Sequence, residues 1–348
     1  MATISKCDAL YKEDLEHVLG TPGFEALHGK SVLITGASGL VGTVLVDALM
    51  LANDYGCDIT VYAVGRDRGR ATDRLGGYFG HPRFHFVEHD VREPFVPDLA
   101  VDYVVPLASN THPLAYSRYP IETMLVNLEG AKHALELAGR CGAVVLYAST
   151  VEIYGGAYRD EDFDESYTGK LNLGTSRACY TESKRACEAL CQSYAAERGV
   201  QVRIARLCRV FGPTVLESDS KASSQFIKKA VDGDDIVLKS EGTQYFSYIY
   251  VADAVSALLY IMLHGEQAVA YNISSEACNV QLRDFAQTCA ALAGTKVIFD
   301  LPSDVERKGY SVAARAILDN SLLRSIGWQP RYNFETALKR TVAMIKKS

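Results

Sequence analysis

The chain has 348 residues, 48% of them hydrophobic and 22% charged, enough apolar mass for one large domain or two modest ones. A net charge of −6 excludes a nucleic-acid partner held by a basic surface, and the composition excludes a disordered tail, a coiled coil and a fibre. Nine scattered cysteines with no CxxC pair predict reduced thiols, neither a disulfide frame nor a zinc site.

Lys6, Asp8, Lys12, Glu13, Asp14, Glu16 and Glu25 interrupt the opening segment, which is not the pattern of a signal peptide and predicts a short amphipathic helix over 8–28. SVLIT (31–35) is a continuous β-branched run, predicting a buried strand, and after a glycine turn TVLVDALMLAN predicts a helix. Strands are predicted at 59–64, 83–91, 101–109, 143–150 and 200–212, and helices at 121–141 and 176–199. That alternation implies an α/β fold with a parallel, doubly wound sheet. After 212 the rhythm loosens into a polar loop, a short helix in FIKKAVDG, a strand running into a helix over 245–263, and a closing amphipathic helix. We read two interleaved units, a dinucleotide-binding unit of residues 1–208 and 243–272 and a smaller α/β substrate unit of 209–242 and 273–348. The uncharged stretch 31–46 carries three glycines and 254–265 is only 12 residues long, so neither spans a bilayer, and the expectation is a soluble, cytoplasmic protein.

TGASGLVG (35–42) places Gly36, Gly39 and Gly42 three apart between a strand and a helix. The first glycine allows a tight turn, the second lets backbone approach a pyrophosphate, and the third lets helix and strand pack closely. Free N–H groups of the following helix then meet the phosphates, so Ser38, Leu40 and Val41 join the glycines as cofactor-binding residues. The second strand ends Gly65-Arg66-Asp67-Arg68, without an acid at its tip for ribose hydroxyls. Its arginines suit a 2′-phosphate, which favours NADP slightly over NAD, although solvated loop charges are the plainer reading. Asp90 and Val91 are placed to meet the adenine. His81, His85 and His89 alternate on a strand and are not a metal cluster; no metal is expected.

Tyr180 and Lys184 lie one turn apart on a predicted helix, and Thr150 ends the preceding strand. A phenol, ordinarily titrating near ~10, becomes a usable base when neighbouring positive charge stabilises its phenolate. These three residues predict acid–base chemistry at the carboxyl end of a parallel sheet, where such folds bind ligands. Among 20 tyrosines against one tryptophan, only Tyr180 acquires a chemical role, with Tyr116 and Tyr154 as lesser candidates near the substrate and the others as packing.

With LASNTHPLAYSRYP (107–120), Asn127, STVEIYGG (149–156), SRACYTESKRACEALCQSY (176–194), RVFGP (209–213) and YIYVADAV (248–255), the sequence resembles the extended short-chain dehydrogenase/reductases that modify nucleotide sugars. It looks most like the UDP-glucuronate decarboxylases, with sugar-nucleotide 4,6-dehydratases and 4-epimerases as relatives. The resemblance implies a Rossmann fold, an NAD(P) cofactor also touched by Leu107, Ala108, Ser109, Asn127, Tyr180 and Lys184, and a nucleotide-sugar substrate. Tyr180 would remove the C4 hydroxyl proton, Thr150 would hold the same oxygen, and Lys184 would hold the nicotinamide ribose. Glu152 matches a second acid/base, or caps a loop, and Val151 stands where 4,6-dehydratases carry aspartate. Arg307 aligns with an arginine near the substrate carboxylate, or pairs with Asp304 or Glu306. His112 and Tyr116 fall near the expected substrate, His112 alternatively being a plain loop residue. Two positions depart from the pattern: Arg209 replaces the family's usual asparagine, and Phe246 replaces its phosphate-binding arginine, so Arg209 becomes the candidate for that contact. Uronate decarboxylation leads C4 epimerisation and net keto-sugar reduction. The rival outside enzymes is a silent NAD(P)-binding sensor or scaffold, against which the intact base set speaks. The helices 121–141 and 176–199 resemble those of the family's dimer, implying a homodimer.

Overall fold

Apolar runs too short for helices build the centre of the molecule, seen in a computed structural model that describes residues 6, 8–96, 99–111, 113–155, 162–300 and 315–347. The strands are β1 (Ser31–Thr35), β2 (Thr60–Gly65), β3 (Phe84–Glu88), β4 (Tyr103–Pro106), β5 (Val144–Thr150), β6 (Gln201–Leu207), β7 (Arg209–Phe211), β8 (Ile236–Leu238), β9 (Tyr245–Tyr250), β10 (Ala270–Ile273), β11 (Asn279–Gln281), β12 (Val297–Phe299) and β13 (Arg315–Ala316). Seven of them form one sheet in the order β10-β6-β5-β4-β1-β2-β3. Every pairing in it is parallel. The order reverses between β1 and β4, the switch point at which doubly wound sheets open a crevice.

The helices are α1 (Ala9–Leu19), α2 (Leu40–Asp54), α3 (Arg68–Leu75), α4 (Pro113–Arg118), α5 (Pro120–Cys141), α6 (Ala178–Arg198), α7 (Ala222–Asp232), α8 (Val251–His264), α9 (Leu282–Ala293), α10 (Ser321–Ser325) and α11 (Phe334–Lys347). They cover both sheet faces, which is why the strands read as unbroken apolar runs. Along β1, Val32 and Ile34 pack in one layer with α2 and α8, while Leu33 points into the other with α5 and α6. Among the described residues no helix is long and apolar enough to cross a membrane.

Three predicted elements are shorter than their sequence patterns suggest. The strand expected over 200–212 is two strands, broken at Cys208. Its neighbours end there, since Leu207 is opposite both Thr150 of β5 and Ile273 of β10. Beyond that register the chain has no ladder to join, so β7 pairs with β9 in a separate four-stranded sheet with β11 and β13. The strand expected over 101–109 stops at Pro106 because Leu107 and Ala108 turn to donate to the carbonyl and hydroxyl oxygens of Thr35. The helix expected over 8–28 ends at Leu19, followed by a separate 3-10 turn at Phe24–Leu27.

Several tyrosines are structural donors as well as packing. The Asp47 carboxylate in α2 accepts from Tyr11 Oη at 2.6 Å and Tyr78 Oη at 2.9 Å, with Lys6 Nζ at 3.7 Å. Asp14 in α1 accepts from the Tyr250 phenol, from Tyr332 Oη at 2.8 Å, and from Arg340 Nε at 3.0 Å and Nη2 at 2.7 Å. Both carboxylates are buried, and burial raises their pKa values against the pull of these donors. The Asp14 cluster ties α1 to α11 and to the end of β9.

Removing Arg340 leaves Asp14 with two phenols and no cation in a dry site. Arg340→Ala is expected to cost about 3 kcal/mol near neutral pH. The folded pKa of Asp14 already lies above its unfolded value, so Asp14 destabilises the fold as pH rises through that folded value, and the variant raises it further. The loss should therefore be larger at about pH 8 than at about pH 5. Urea unfolding at both pH values checks this, and a loss independent of pH would contradict it.

Candidate active site

The crevice at the switch point begins with the turn from β1 to α2. Gly36 has φ +65°, and a Cβ there would stand 2.8 Å from Ala108 N. A Cβ on Gly42 would meet the Gly36 carbonyl oxygen at 2.4 Å. The protein's own packing therefore demands the first and third glycines. Gly39, the N-cap of α2, meets only Gly36 O at 3.2 Å, so its smallness leaves an open approach to the N–H groups of the first turn, where Leu40 and Val41 sit. Ser38 lies in the turn itself. Thr214 reaches across from beyond β7 and donates to Leu40 O at 2.7 Å.

Next to this turn, Thr35, Val91, Ala108, Asn127, Tyr147 and Lys184 help line a small cavity. Asn127 donates to Ser183 Oγ at 2.8 Å but keeps a buried Oδ1 without a hydrogen-bond partner among the described residues. An acceptor left open beside a glycine cradle fits a dinucleotide carrying hydroxyl and amide donors. Leu107 and Ser109 flank Ala108, the Ser109 hydroxyl facing Asn110 O at 3.4 Å. At the far end, Arg66 pairs with Glu122 at 3.0 Å and stands 3.9 Å from Asp90. Asp90 is clamped by Arg92 at 2.6 Å, which pulls its pKa down to about 2. Asp67 caps α3 by accepting from Arg70 N at 2.9 Å. Among the nearby histidines, His85 stacks on Tyr62 at 5.1 Å and His89 meets Glu93 O at 3.0 Å.

β5 ends at Thr150, whose hydroxyl accepts from Glu152 N at 3.3 Å and whose neighbourhood draws the Tyr180 phenol down in pKa. Tyr180 and Lys184, adjacent on one face of α6, are both buried against this strand end. Lys184 does not spend its ammonium on Tyr180: Nζ donates to Ala148 O at 2.9 Å, above the Tyr147 ring at 5.1 Å. The Tyr180 phenol is raised well above its ordinary pKa, chiefly by burial; Thr150 lowers it and the Glu152 charge raises it. The sequence expectation joined the Lys184 ammonium with the positive nicotinamide of an oxidised cofactor; in the chain by itself, burial outweighs an ammonium bound elsewhere. Tyr116 of α4 stacks on Tyr180 at 5.1 Å, under Arg177 at 5.7 Å. Ser183 links the assembly, donating to Tyr180 O at 2.9 Å while accepting from Asn127.

Glu152 lies in the 3-10 turn Val151–Tyr154 that follows β5. Its carboxylate is 3.8 Å from Arg209 Nη2, and the Arg209 guanidinium lies over the Phe246 ring at 3.7 Å. Tyr154, expected near the substrate, is instead buried, donating to Asn272 Oδ1 at 2.7 Å and accepting from Arg206 at 2.9 Å. Its place in the apolar run of the turn drives it into the core. His112 and Arg307 lie outside the described residues. Ser183 and Arg177 escaped the sequence reading; only the helical spacing of Ser183, three after Tyr180, offered a signal.

Comparison with known proteins agrees with this arrangement. Residues 32–274 match the NAD dependent epimerase/dehydratase family. UDP-glucuronic acid decarboxylase 1 of Xenopus tropicalis is 32% identical over 322 residues, covering 91% of this chain and 72% of that protein. UDP-glucuronic acid decarboxylase 6 of Arabidopsis thaliana is 32% identical over 314 residues, 88% of this chain and 86% of that one. The crystal structure of DesIV, a dTDP-glucose 4,6-dehydratase from Streptomyces venezuelae with NAD and TYD bound, shares the fold. Its TM-score is 0.77 at 23% identity, over 91% of this chain and 97% of that chain.

Because the Glu152 charge pushes the Tyr180 phenol up, Glu152→Gln is expected to move its titration to lower pH. The readout is the tyrosinate absorbance lost on Tyr180→Phe, measured in the native and the Glu152→Gln backgrounds. Coincident titrations would show that Glu152 does not act on the phenol.

Proposed function

The chain belongs to the NAD-dependent epimerase/dehydratase family, and on that premise we propose that it converts a nucleotide-diphosphate sugar through a transient 4-keto sugar, with decarboxylation of UDP-glucuronate as its net reaction. The observation that carries the proposal is the burial of Thr150, Tyr180 and Lys184 together at the carboxyl end of β5, beside the glycine turn. Tyr180 takes the proton of the sugar's C4 hydroxyl while Thr150 holds that oxygen, and burial under Tyr116 excludes water from the transfer. A nicotinamide dinucleotide on the Gly36–Gly42 turn supplies the hydride acceptor and donor. Lys184 and Asn127 line its cavity, and the open Oδ1 of Asn127 is available to it. A ketone at C4 makes the C6 carboxylate a β-keto acid, which loses carbon dioxide. The resulting enolate takes up a proton, and a bound cofactor would give back the hydride, so that the pentose forms without net oxidation. Glu152, two residues beyond Thr150 and part exposed, supplies the acid or base of this second stage. The 32% identity to curated decarboxylases over most of the chain supports this choice of second step.

Cofactor choice turns on Arg66. Its pairing with Glu122 and its closeness to Asp90 leave it less free for a 2′-phosphate than the sequence suggests, so the NADP preference we infer is only about a few-fold. A homodimer through α5 and α6 is also part of this reading. α5 leaves Ile121 at 75% exposure, with Met124 and Leu125 exposed on the same helix, an apolar stripe that a second copy would cover.

Purified protein with UDP-glucuronate and NAD or NADP is expected to release carbon dioxide and form a UDP-pentose, and Tyr180→Phe to lower turnover at least about 100-fold. UDP-galacturonate without carbon dioxide would mark C4 epimerisation, and no turnover of any nucleotide sugar would remove the enzymatic reading. Tighter NAD than NADP binding that survives Arg66→Ala would reverse the cofactor preference. By light scattering the protein should be dimeric and Ile121→Glu/Leu125→Glu monomeric; a monomeric native chain rejects the dimer.

A further inference from the structure

Arg209 and Phe246, the two positions that depart from the family pattern, touch each other. β7 runs parallel to β9 with Arg209 opposite Tyr248, two residues along from Phe246. The Arg209 guanidinium carbon lies 3.7 Å from the Phe246 ring centroid, a cation resting on an aromatic face. The ring holds the fork in place and keeps water from one side of it, leaving the Arg209 side chain 23% exposed. One terminal nitrogen stands 3.8 Å from Glu152, beyond hydrogen-bonding range, and the other, Nη1, is buried without a partner among the described residues. A rigid planar fork with unused donors, beside the turn that follows Thr150, is built for an oxyanion with two or more oxygens to offer.

Hydrogen-bonded strands lie about 4.8 Å apart, well within the reach of an arginine side chain. A guanidinium rooted on β7 can therefore stand over a residue of β9. Phe246 brings no cation of its own, and its ring supports the guanidinium of Arg209. Together they keep one guanidinium and make its support rigid.

We propose that Arg209, propped on Phe246, grips the diphosphate of the nucleotide-sugar substrate, so that in this chain the charge is delivered from β7 and no longer from β9. The proposal rests on the nucleotide-sugar reading above. It is tested by calorimetric titration of UDP, dTDP, GDP and ADP into the wild type, Arg209→Asn, Phe246→Arg and the double variant Arg209→Asn/Phe246→Arg. Affinity for NAD(P) serves as the check on folding. The wild type should bind at least one nucleoside diphosphate, Arg209→Asn should bind it about 10- to 100-fold more weakly, and the double variant should recover to within a few-fold. Recovery is the result that a merely structural role for Arg209 would not give. In turnover, Arg209→Asn should raise KM more than it lowers kcat. Equal binding by wild type and Arg209→Asn, or a double variant as weak as Arg209→Asn, overturns the relocation and leaves the nucleotide-sugar reading standing. A wild type that binds none of the four nucleotides, while still binding NAD(P), rejects the nucleotide-sugar reading and this proposal with it.

Discussion

The carbonyl oxygen of Gly36 occupies the space that a side chain at position 42 would need. This contact brings the start of α2 down onto the end of β1, and the geometry of the crevice follows from it. With Gly36 at positive φ, the chain also comes close enough to β4 for Ala108 N to bond the Thr35 hydroxyl, which ends that strand and opens the switch point. Helix N–H groups, the ends of β1 and β4, and the cavity before Asn127 thus converge on one place. A methyl group at either glycine would push them apart.

At the other end of that crevice the balance is electrostatic. Burying a phenol disfavours its charged form, and the neighbouring Thr150 offsets only part of that cost. Lys184, one turn along α6, is bound to the Ala148 carbonyl, and Glu152 adds a further penalty. Burial therefore sets the direction of the Tyr180 shift in the chain by itself. In the proposed reaction the chain supplies position and dryness to this phenol, and the bound cofactor would supply the positive charge.

The tyrosine excess has a second origin, remote from chemistry. Tyr11 and Tyr78 serve Asp47, and Tyr250 and Tyr332 serve Asp14, so phenols satisfy two carboxylates that would otherwise be buried at severe cost. Composition shows the number of phenols but not their partners, which come from α1, α2, β9 and the segment before α11. Tyr154 is the same lesson from the opposite direction. Adjacent to the site in sequence, it is spent on Asn272 and Arg206 in the core.

Local order determined what could be read without coordinates. The glycine spacing between a strand and a helix, the alternation that implies a parallel sheet, and the one-turn separation of Tyr180 and Lys184 depend on backbone rules within a few residues. Tertiary structure alone decided where the predicted strand over 200–212 breaks, because its end is set by the lengths of β5 and β10, distant in the chain. It also decided that Lys184 bonds Ala148 and that Arg209 rests on Phe246, 37 residues apart in sequence. A side chain's residue type states which partners it can take; which of them lies within a few ångströms depends on how distant strands pair, and that is written only in the fold.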